Sequence, residues 1–277
     1  MTVTIYSVLD RFSAFYHAAA EADPAERWRL WKEHYRFIPV EDGRTGDRNG
    51  RRRLDEAWPK YRYVQGRIRR PRPQEKELNK AKLQIEQLLA AESGSLPVIH
   101  FVGFFEKASF IAPLDKSGTP ALCLPVEIPL EEAEWTRPLV TAVHIRKAGL
   151  SIGTDRTLAR RLIEDGLALH VTALVMKQRG MPFSAGRSRQ WADQCARGLT
   201  AIFRAARPRL NQSHDLELLY GPQGVNGEAD EGLYLAWVLL DFAVQQGWTF
   251  SQIASASEDQ LPQLTADFMD EYRWHAL

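Results

Sequence analysis

Cysteine is scarce in this chain of 277 residues, with only Cys123 and Cys195 present. They form neither a CxxC pair nor a disulfide framework, which excludes a small disulfide-stapled scaffold and makes a reducing, cytoplasmic compartment the expectation. Long apolar runs are missing too. No stretch reaches the ~18 uninterrupted apolar residues of a membrane span, so no membrane partner is expected. Met1 to Asp10 carries no basic segment followed by an apolar run, and no signal peptide is read there. The chain also lacks a G-x-S-x-G elbow, a P-loop and a G-x-G-x-x-G turn, against α/β-hydrolase, nucleoside-triphosphatase and dinucleotide-binding readings. It has no internal repeat and no low-complexity tract. Net charge is nearly absent: 36 Lys and Arg stand against 35 Asp and Glu, a formal +1 that speaks against a bulk nucleic-acid binder.

What is present is the composition of an ordinary globular protein, 44% hydrophobic and 26% charged. The charge, however, is unevenly placed. Between Arg44 and Pro73 eleven Lys and Arg face only Asp47, Asp55 and Glu56, a local excess of +8 that leaves −7 on the remainder. Trp58, Tyr61 and Tyr63 are interleaved with these arginines. Arg51, Arg52, Arg53, Arg67, Arg69 and Arg70 are the candidates for gripping nucleic-acid phosphates, with the aromatics stacking on bases. The competing expectation is a solvated basic loop whose arginines pair with acidic surface and whose aromatics anchor it to the core.

Apolar spacing divides the chain into helices, a short run of strands, and helices again. Val8, Phe12, Phe15 and Tyr16 recur at helical intervals, Pro24 opens a second helix, and the first forty residues read as helical. Gln74 to Ala91 is helical, with Gly94 beyond its end. Val98–Val102, Ala108–Ala112 and Ala121–Val126 read as strands, with a turn at Asp115–Gly118. A helix from Thr136 to Ala148 follows. Thr154-Asp155 is the expected cap of a long helix over Thr157–Gln178 that stops at Gly180 and Pro182. Further helices are expected over Arg187–Ala206, Gly232–Gln246, Ser251–Ala256 and Glu258–Tyr272, with Asn211–Asp230 a loop. The fold class is α+β: mostly helical, with a small mixed or mostly antiparallel sheet. Residues 1–95 form a helical region carrying the basic segment and residues 96–277 a second region, the alternative being one compact domain overall.

The chemistry-bearing order is strands, a helix with His144, and a helix with Glu164 and Asp165. Zinc peptidases of the gluzincin type place HExxH on one helix and a third ligand, a Glu, on the next. Histidines at i and i+4 share a helix face and converge on the metal, and the intervening Glu activates the bound water. Val140-Thr-Ala-Val-His144-Ile-Arg-Lys-Ala148 occupies the place of the first motif, and Leu162-Ile-Glu-Asp165-Gly-Leu-Ala168 resembles the E-G-L-A segment that supplies the third ligand. With Phe101-Val-Gly103-Phe-Phe, Leu124-Pro-Val-Glu127, Gly166–His170 and Gly232-Leu-Tyr-Leu-Ala-Trp237, these stretches resemble a family of predicted zinc-dependent proteases over roughly Leu96 to Tyr272. That resemblance implies a gluzincin-like fold.

The departures are as informative. In the HExxH register, Ile145 replaces the base and Ala148 the second histidine, and the third ligand falls on Asp165, with Glu164 as the alternative register. Isoleucine takes no proton from water. His144 and Asp165 fall short of the three protein ligands of a catalytic zinc. His144, Asp165 and His170 are the candidate metal ligands if one binds, although Asp165 and His170, five apart, diverge by roughly 140° on a helix. His100 reads as a core histidine. Cys195 with His214 is a nominal thiol–imidazole pair, read instead as a buried cysteine. Glu127, Glu131, Glu132 and Glu134 read as a solvated acidic loop. No cofactor is expected. The leading expectation is a non-catalytic protease-like protein that takes a peptide or protein segment, with His144 hydrogen-bonded to Asp165 as a remnant of the metal site. The alternatives are an active hydrolase built from His144, Asp165 and one of Glu164, His170 or Glu127, and a nucleic-acid or regulatory binder working through residues 44–73.

Overall fold

The computed structural model describes residues 2–35, 47–105, 109–115, 117–153, 156–177, 186–214 and 216–276. Several features expected from the sequence lie partly or wholly outside them: the end of the first forty residues, Arg44, the first residue of the Ala108 strand, Lys116 in the turn at Asp115–Gly118, the cap at Thr154-Asp155, Gln178 with the stop at Gly180 and Pro182, and Asp215 in the Asn211–Asp230 loop. The chain divides into two compact units, residues 1–80 with 94–135 and residues 81–93 with 136–277.

In the first unit, β1 (Val3–Ser7), β2 (Leu96–Phe101), β3 (Phe110–Pro113) and β4 (Pro120–Pro125) form one sheet in the order β1-β2-β4-β3. β1 runs parallel to β2 from Val3 opposite Leu96 to Ser7 opposite His100. β2 and β4 are also parallel, and only β3 pairs antiparallel with β4. This corrects two expectations. The first residues are a strand, not helix, because Val-Thr-Ile-Tyr-Ser is rich in β-branched and aromatic side chains. The sheet is mixed, as the sequence allowed, but its pairing is mostly parallel and not mostly antiparallel, since the long helical connection between β1 and β2 carries the chain back to the same end. The turn at Asp115 forms around the Asp115 carboxylate, which accepts the Ser117 N–H at 2.9 Å, with Gly118 at φ +78°.

Helices α1 (Leu9–Ala18) and α2 (Pro24–His34) cover one face of this sheet. Leu9, Phe12 and Phe15 form the buried stripe of α1. Asp23 caps α2, accepting from Ala25 N at 2.8 Å and Glu26 N at 2.9 Å, with Pro24 at the first helical position. The basic segment is helical instead of an extended loop: α3 (Asp47–Ala57), a 3-10 turn (Trp58–Tyr63) and α4 (Gln65–Ile68). Arginine is a good helix former, and this stretch buries Leu54, Ala57, Tyr61 and Val64 in the core with Phe12, Phe15, Trp31, Ile99, Phe101 and Cys123. Phe12 and Tyr61 meet edge to face at 5.0 Å, as do Phe15 and Trp31. The Tyr61 hydroxyl donates to the Gly103 carbonyl at 2.9 Å, tying this layer to the end of β2.

Helices α5 (Glu75–Leu89) and α6 (Glu132–Ala148) contribute to both units. The second unit is built around α7 (Leu158–Val175), which is buried on nearly every side and packs against α10 (Glu231–Gln245) and α12 (Leu261–Ala276). The Thr157 hydroxyl caps it by accepting Arg160 N at 3.2 Å. Gly166 allows the close crossing with α10: a Cβ there would stand 2.7 Å from the Ala236 carbonyl oxygen. α8 (Arg189–Ala206), capped by Ser188, α9 (Glu217–Tyr220) and α11 (Phe250–Ile253) complete the unit. α9 is a short helix inside the stretch expected to be all loop. Among the described residues no helix is long and apolar enough to cross a membrane.

Candidate functional site on helices α6 and α7

His144 sits in the interior, 1% exposed, two turns beyond Arg137 on α6. Neither ring nitrogen has a hydrogen-bond partner, and burial pushes its pKa down to about 4 despite the attraction of Glu164. The expected His144–Asp165 hydrogen bond is therefore not made. Helix geometry explains the miss, because Glu164 and Asp165 are neighbours in sequence but point about 100° apart. Glu164 is the acid turned toward His144. Ile145, in the register of the catalytic base, is packed in the core at 3% exposure. Lys147 reaches the carbonyls of Leu89 and Ala90 at the end of α5 and the Ser251 hydroxyl at 3.0 Å, so its charge serves a helix C-terminus.

Glu164 anchors a buried ionic network. Its Oε1 accepts from Arg160 Nε at 2.8 Å and its Oε2 from Arg156 at 2.9 Å. Arg160 is 1% exposed and also donates to Glu258 at 2.9 Å and to the Ser151 carbonyl. Burial alone raises the Glu164 pKa, but Arg156, Arg160 and His144 together outweigh it and hold the carboxyl below its ordinary value. An acid so neutralised is a structural charge pair.

Asp165 faces a different set of groups. Arg161 Nε lies 3.7 Å from its Oδ2, and the Arg161 guanidinium carbon sits 3.7 Å over the Tyr220 ring. Arg137, on α6, contributes a second positive charge, and burial raises the Asp165 pKa against both. Tyr220 ends α9, and its ring fills the space that a side chain at Gly232 would need, 2.5 Å from a Cβ there. The following loop is held by Glu231, fully buried, whose carboxylate accepts from Val225 N at 2.7 Å, Asn226 N at 2.8 Å and Glu228 N at 3.2 Å. This pinning presents Asp230, in the left-handed region at φ +55°, to Arg187, with which it forms an ion pair.

The other sequence candidates have partners of their own. His170 donates its Nε2–H to the Trp237 carbonyl at 3.0 Å and stacks on the Trp237 ring at 3.7 Å. His100 is buried in β2, its pKa pushed down to about 4 by burial. Glu127 is not on a solvated loop: it is fully buried at the end of β4, with Oε1 accepting from Phe105 N at 3.2 Å. It turns inward because Gly103 leaves room for it, its Oε1 lying 2.8 Å from where a Cβ would be. Glu131 and Glu132 are exposed, and Glu132 and Glu134 occupy the first turn of α6, where the helix dipole favours acids. Burial pushes the Cys195 thiol up to about 12, unsuited to a nucleophile, and His214 is exposed. In the basic segment Arg53 stacks over Phe104 and Arg62 over Tyr63, Arg52 pairs with Glu56 at 3.7 Å, and Arg67 donates to the Glu127 carbonyl. Arg51, Arg69 and Arg70 are exposed.

Sequence reasoning missed Arg137, Arg161, Tyr220 and Glu231. A signal was available for two of them: Arg161 and Asp165 stand at i and i+4, and Arg137 and His144 at i and i+7, so both arginines share a face with a singled-out residue. Among the described residues no group of three or more His, Cys, Asp and Glu converges as a metal site would require. Compared with family models, curated proteins and solved structures, the chain matches none.

Proposed function

We propose that this chain is a non-hydrolytic, zinc-protease-like protein of gluzincin type that binds a peptide or protein segment at the α6–α7 region. The observation that carries the reading is the state of Glu164. Both of its oxygens are engaged by guanidinium groups at 2.8 and 2.9 Å, where a ligating carboxylate would need a free lone pair facing the metal. The donors present do not fit a catalytic zinc. His144 and Asp165 turn to different surroundings, Ile145 supplies no base, and Arg137 and Arg161 set positive charge beside Asp165. A rearranged hydrolase meets the same difficulty, since His170 is committed to Trp237 and the Glu127 carboxylate accepts from Phe105 N.

The test is direct. Purified full-length protein, supplied with zinc, is assayed on a broad fluorogenic peptide library with and without a chelator, and its metal content is measured. The expected outcome is no chelator-sensitive cleavage and well under one zinc per chain. One zinc per chain that disappears in His144→Ala, together with cleavage, overturns the reading.

A further inference from the structure

One surface of the second unit is apolar and open to solvent. α8 and α12 both pack against α10, and Tyr272 of α12 joins the three. Its ring stacks on Phe203 of α8 at 5.2 Å and meets Phe242 of α10 edge-on at 5.4 Å. Tyr272 also lines two adjoining hollows. One, of about 600 Å³, lies between α8 and α12 beside Leu199, Phe203 and Met269, and the other, of about 430 Å³, is lined by Tyr234, Trp237 and Val238 of α10. Residues 233–244 of α10 read Leu-Tyr-Leu-Ala-Trp-Val-Leu-Leu-Asp-Phe-Ala-Val, with Asp241 the single charge. A helix apolar on all sides is ordinarily covered on all sides. Here Tyr234, Trp237 and Val238 are partly exposed and Val244 is 38% exposed. Contiguous apolar surface rimmed by polar groups marks an interface.

The rim carries opposite signs on its two sides. α8 and the turn after it present Arg204 and Arg207, whereas α12 presents Asp267, Asp270 and Glu271, all five exposed. Arg207 pairs with Asp270 at 2.7 Å at the larger hollow. An acidic ligand is repelled by the α12 side and a basic one by the α8 side. A surface with the reverse order of charge is attracted by both, and this surface, turned over about an axis along the groove between α8 and α12, has that order. Phe203 stacks on Tyr272 and Arg207 reaches Asp270, so Arg204 and Glu271 stand at nearly the same level along the two helices. The rotation sets Arg204 of each copy against Glu271 of the other and closes the two apolar surfaces on each other.

We propose that the α8–α10–α12 surface docks a second copy of this chain about a two-fold axis running along that groove. The proposal is independent of the reading given for α6 and α7, and neither cleavage nor bound zinc bears on it.

Sedimentation equilibrium of the full-length chain from about 1 to 300 μM reads the association directly. The expected result is a monomer–dimer equilibrium with a dissociation constant of about 1–100 μM, the weak range of specific association. Arg204→Glu and Glu271→Arg each set like charges at both contacts and should each weaken the dimer by about tenfold or more. In an equal mixture of the two variants both contacts are again of opposite sign, so the mixed dimer should recover the affinity of the parent. Both side chains are exposed, and the circular dichroism and melting profile of each variant should remain those of the parent. A chain that stays monomeric to about 300 μM leaves the groove to a different partner and overturns the proposal. So does association that continues beyond the dimer, a dimer whose affinity neither reversal changes, or a mixture that fails to recover.

Discussion

His144 is a titratable group buried without a hydrogen-bond partner, and that makes it an acid-sensitive point in the second unit. The groups facing it are Glu164 and Arg160 from α7 and Lys147 from its own helix, one acid against two bases. Its pKa is about 4 in the fold and about 6.5 in the unfolded chain. Between those values the unfolded state binds the extra proton, so stability is fully present above pH 6.5 and is lost as pH falls toward 4. The share belonging to this one side chain is on the order of 3 kcal/mol. Urea midpoints measured from pH 7.5 to 4.5 should fall for the parent, and less steeply for His144→Met. Near pH 7.5 the substitution should cost little, because it removes an unpartnered polar ring for an apolar side chain of similar size. An unchanged pH slope would count against this account of His144. His100 and His170 are depressed by burial in the same way and contribute to the slope that persists in the variant.

Glu164 behaves oppositely on substitution. Glu164→Gln leaves Arg160, 1% exposed, with a buried charge that among the described residues only the half-exposed Glu258 still pairs with. A loss of about 3–5 kcal/mol is expected from uncovering a buried cation. By contrast, Arg29→Gln breaks ion pairs to Glu26 and Glu33 that are exposed to water on both sides, and should leave the denaturation midpoint essentially unchanged. Chemical denaturation of the two variants compares a buried with a surface network. Similar losses in both would show that the Glu164 network is not the sealed pair its geometry indicates.

At the scale of elements, the crossing of α7 with α10 turns on one glycine. Gly166→Ala adds a methyl carbon 2.7 Å from the Ala236 carbonyl oxygen and 2.8 Å from Leu240 Cδ1. The Leu240 side chain can yield, but the backbone oxygen cannot, so the overpacking cost of about 1–3 kcal/mol exceeds the ~1 kcal/mol that alanine gains in helix propensity. The same substitution at Gly66 in α4 meets nothing within 4 Å and should stabilise by a few tenths to about 1 kcal/mol. Opposite shifts in melting temperature are the expected outcome, and a stabilising Gly166→Ala would mean that the two helices separate readily. Gly166 also shows what is legible in a sequence. Its place in a Glu-Asp-Gly-Leu-Ala run suggested a ligand segment, and a helix contact alone is enough to require it. Helix spans were readable because apolar spacing and caps such as Asp23 and Ser188 are local. Parallel pairing was not, since β1 and β2 are separated by nearly ninety residues and neither strand encodes its partner. His144 and Glu164 were found as positions, but of the partners that define Glu164 only Arg160, at i and i+4, was readable from helix spacing, whereas Arg156 reaches it from ahead of α7.

Over the whole molecule, the basic segment raises the question of where its balancing charge lies. The first unit contains 20 basic and 18 acidic residues and the second 16 and 17, so most of the negative remainder belongs to the same unit as the arginines. Part of that balance is visible contact by contact: Arg52 with Glu56, Arg72 with Glu77 at 3.0 Å, and Arg67 on the Glu127 carbonyl. The aromatics expected to stack on bases are likewise used within the fold. Tyr61 is fully buried, Trp58 packs against Phe15 and Tyr16, and of the three only Tyr63 is largely exposed, lying under Arg62. Counterion release from phosphates needs several unencumbered cations acting together, and affinity then falls steeply with salt. Here Arg51, Arg69 and Arg70 are exposed on α3 and just beyond α4, while Arg52 and Arg72 pair with acids and Arg53, Lys60 and Arg62 lie over aromatic rings. Binding to a duplex of about 20 base pairs at physiological salt should therefore be no tighter than the non-specific range of about 10⁻⁴–10⁻⁶ M. Replacing Arg51, Arg52 and Arg53 together by Gln should change it by less than about tenfold, with only a shallow salt slope. A steep slope that collapses in the triple variant would instead make the first unit a nucleic-acid interface. That outcome would require the stacked arginines to leave their aromatic partners, which a change in tryptophan fluorescence on titration would report through Trp58, beneath Arg27 at 4.6 Å.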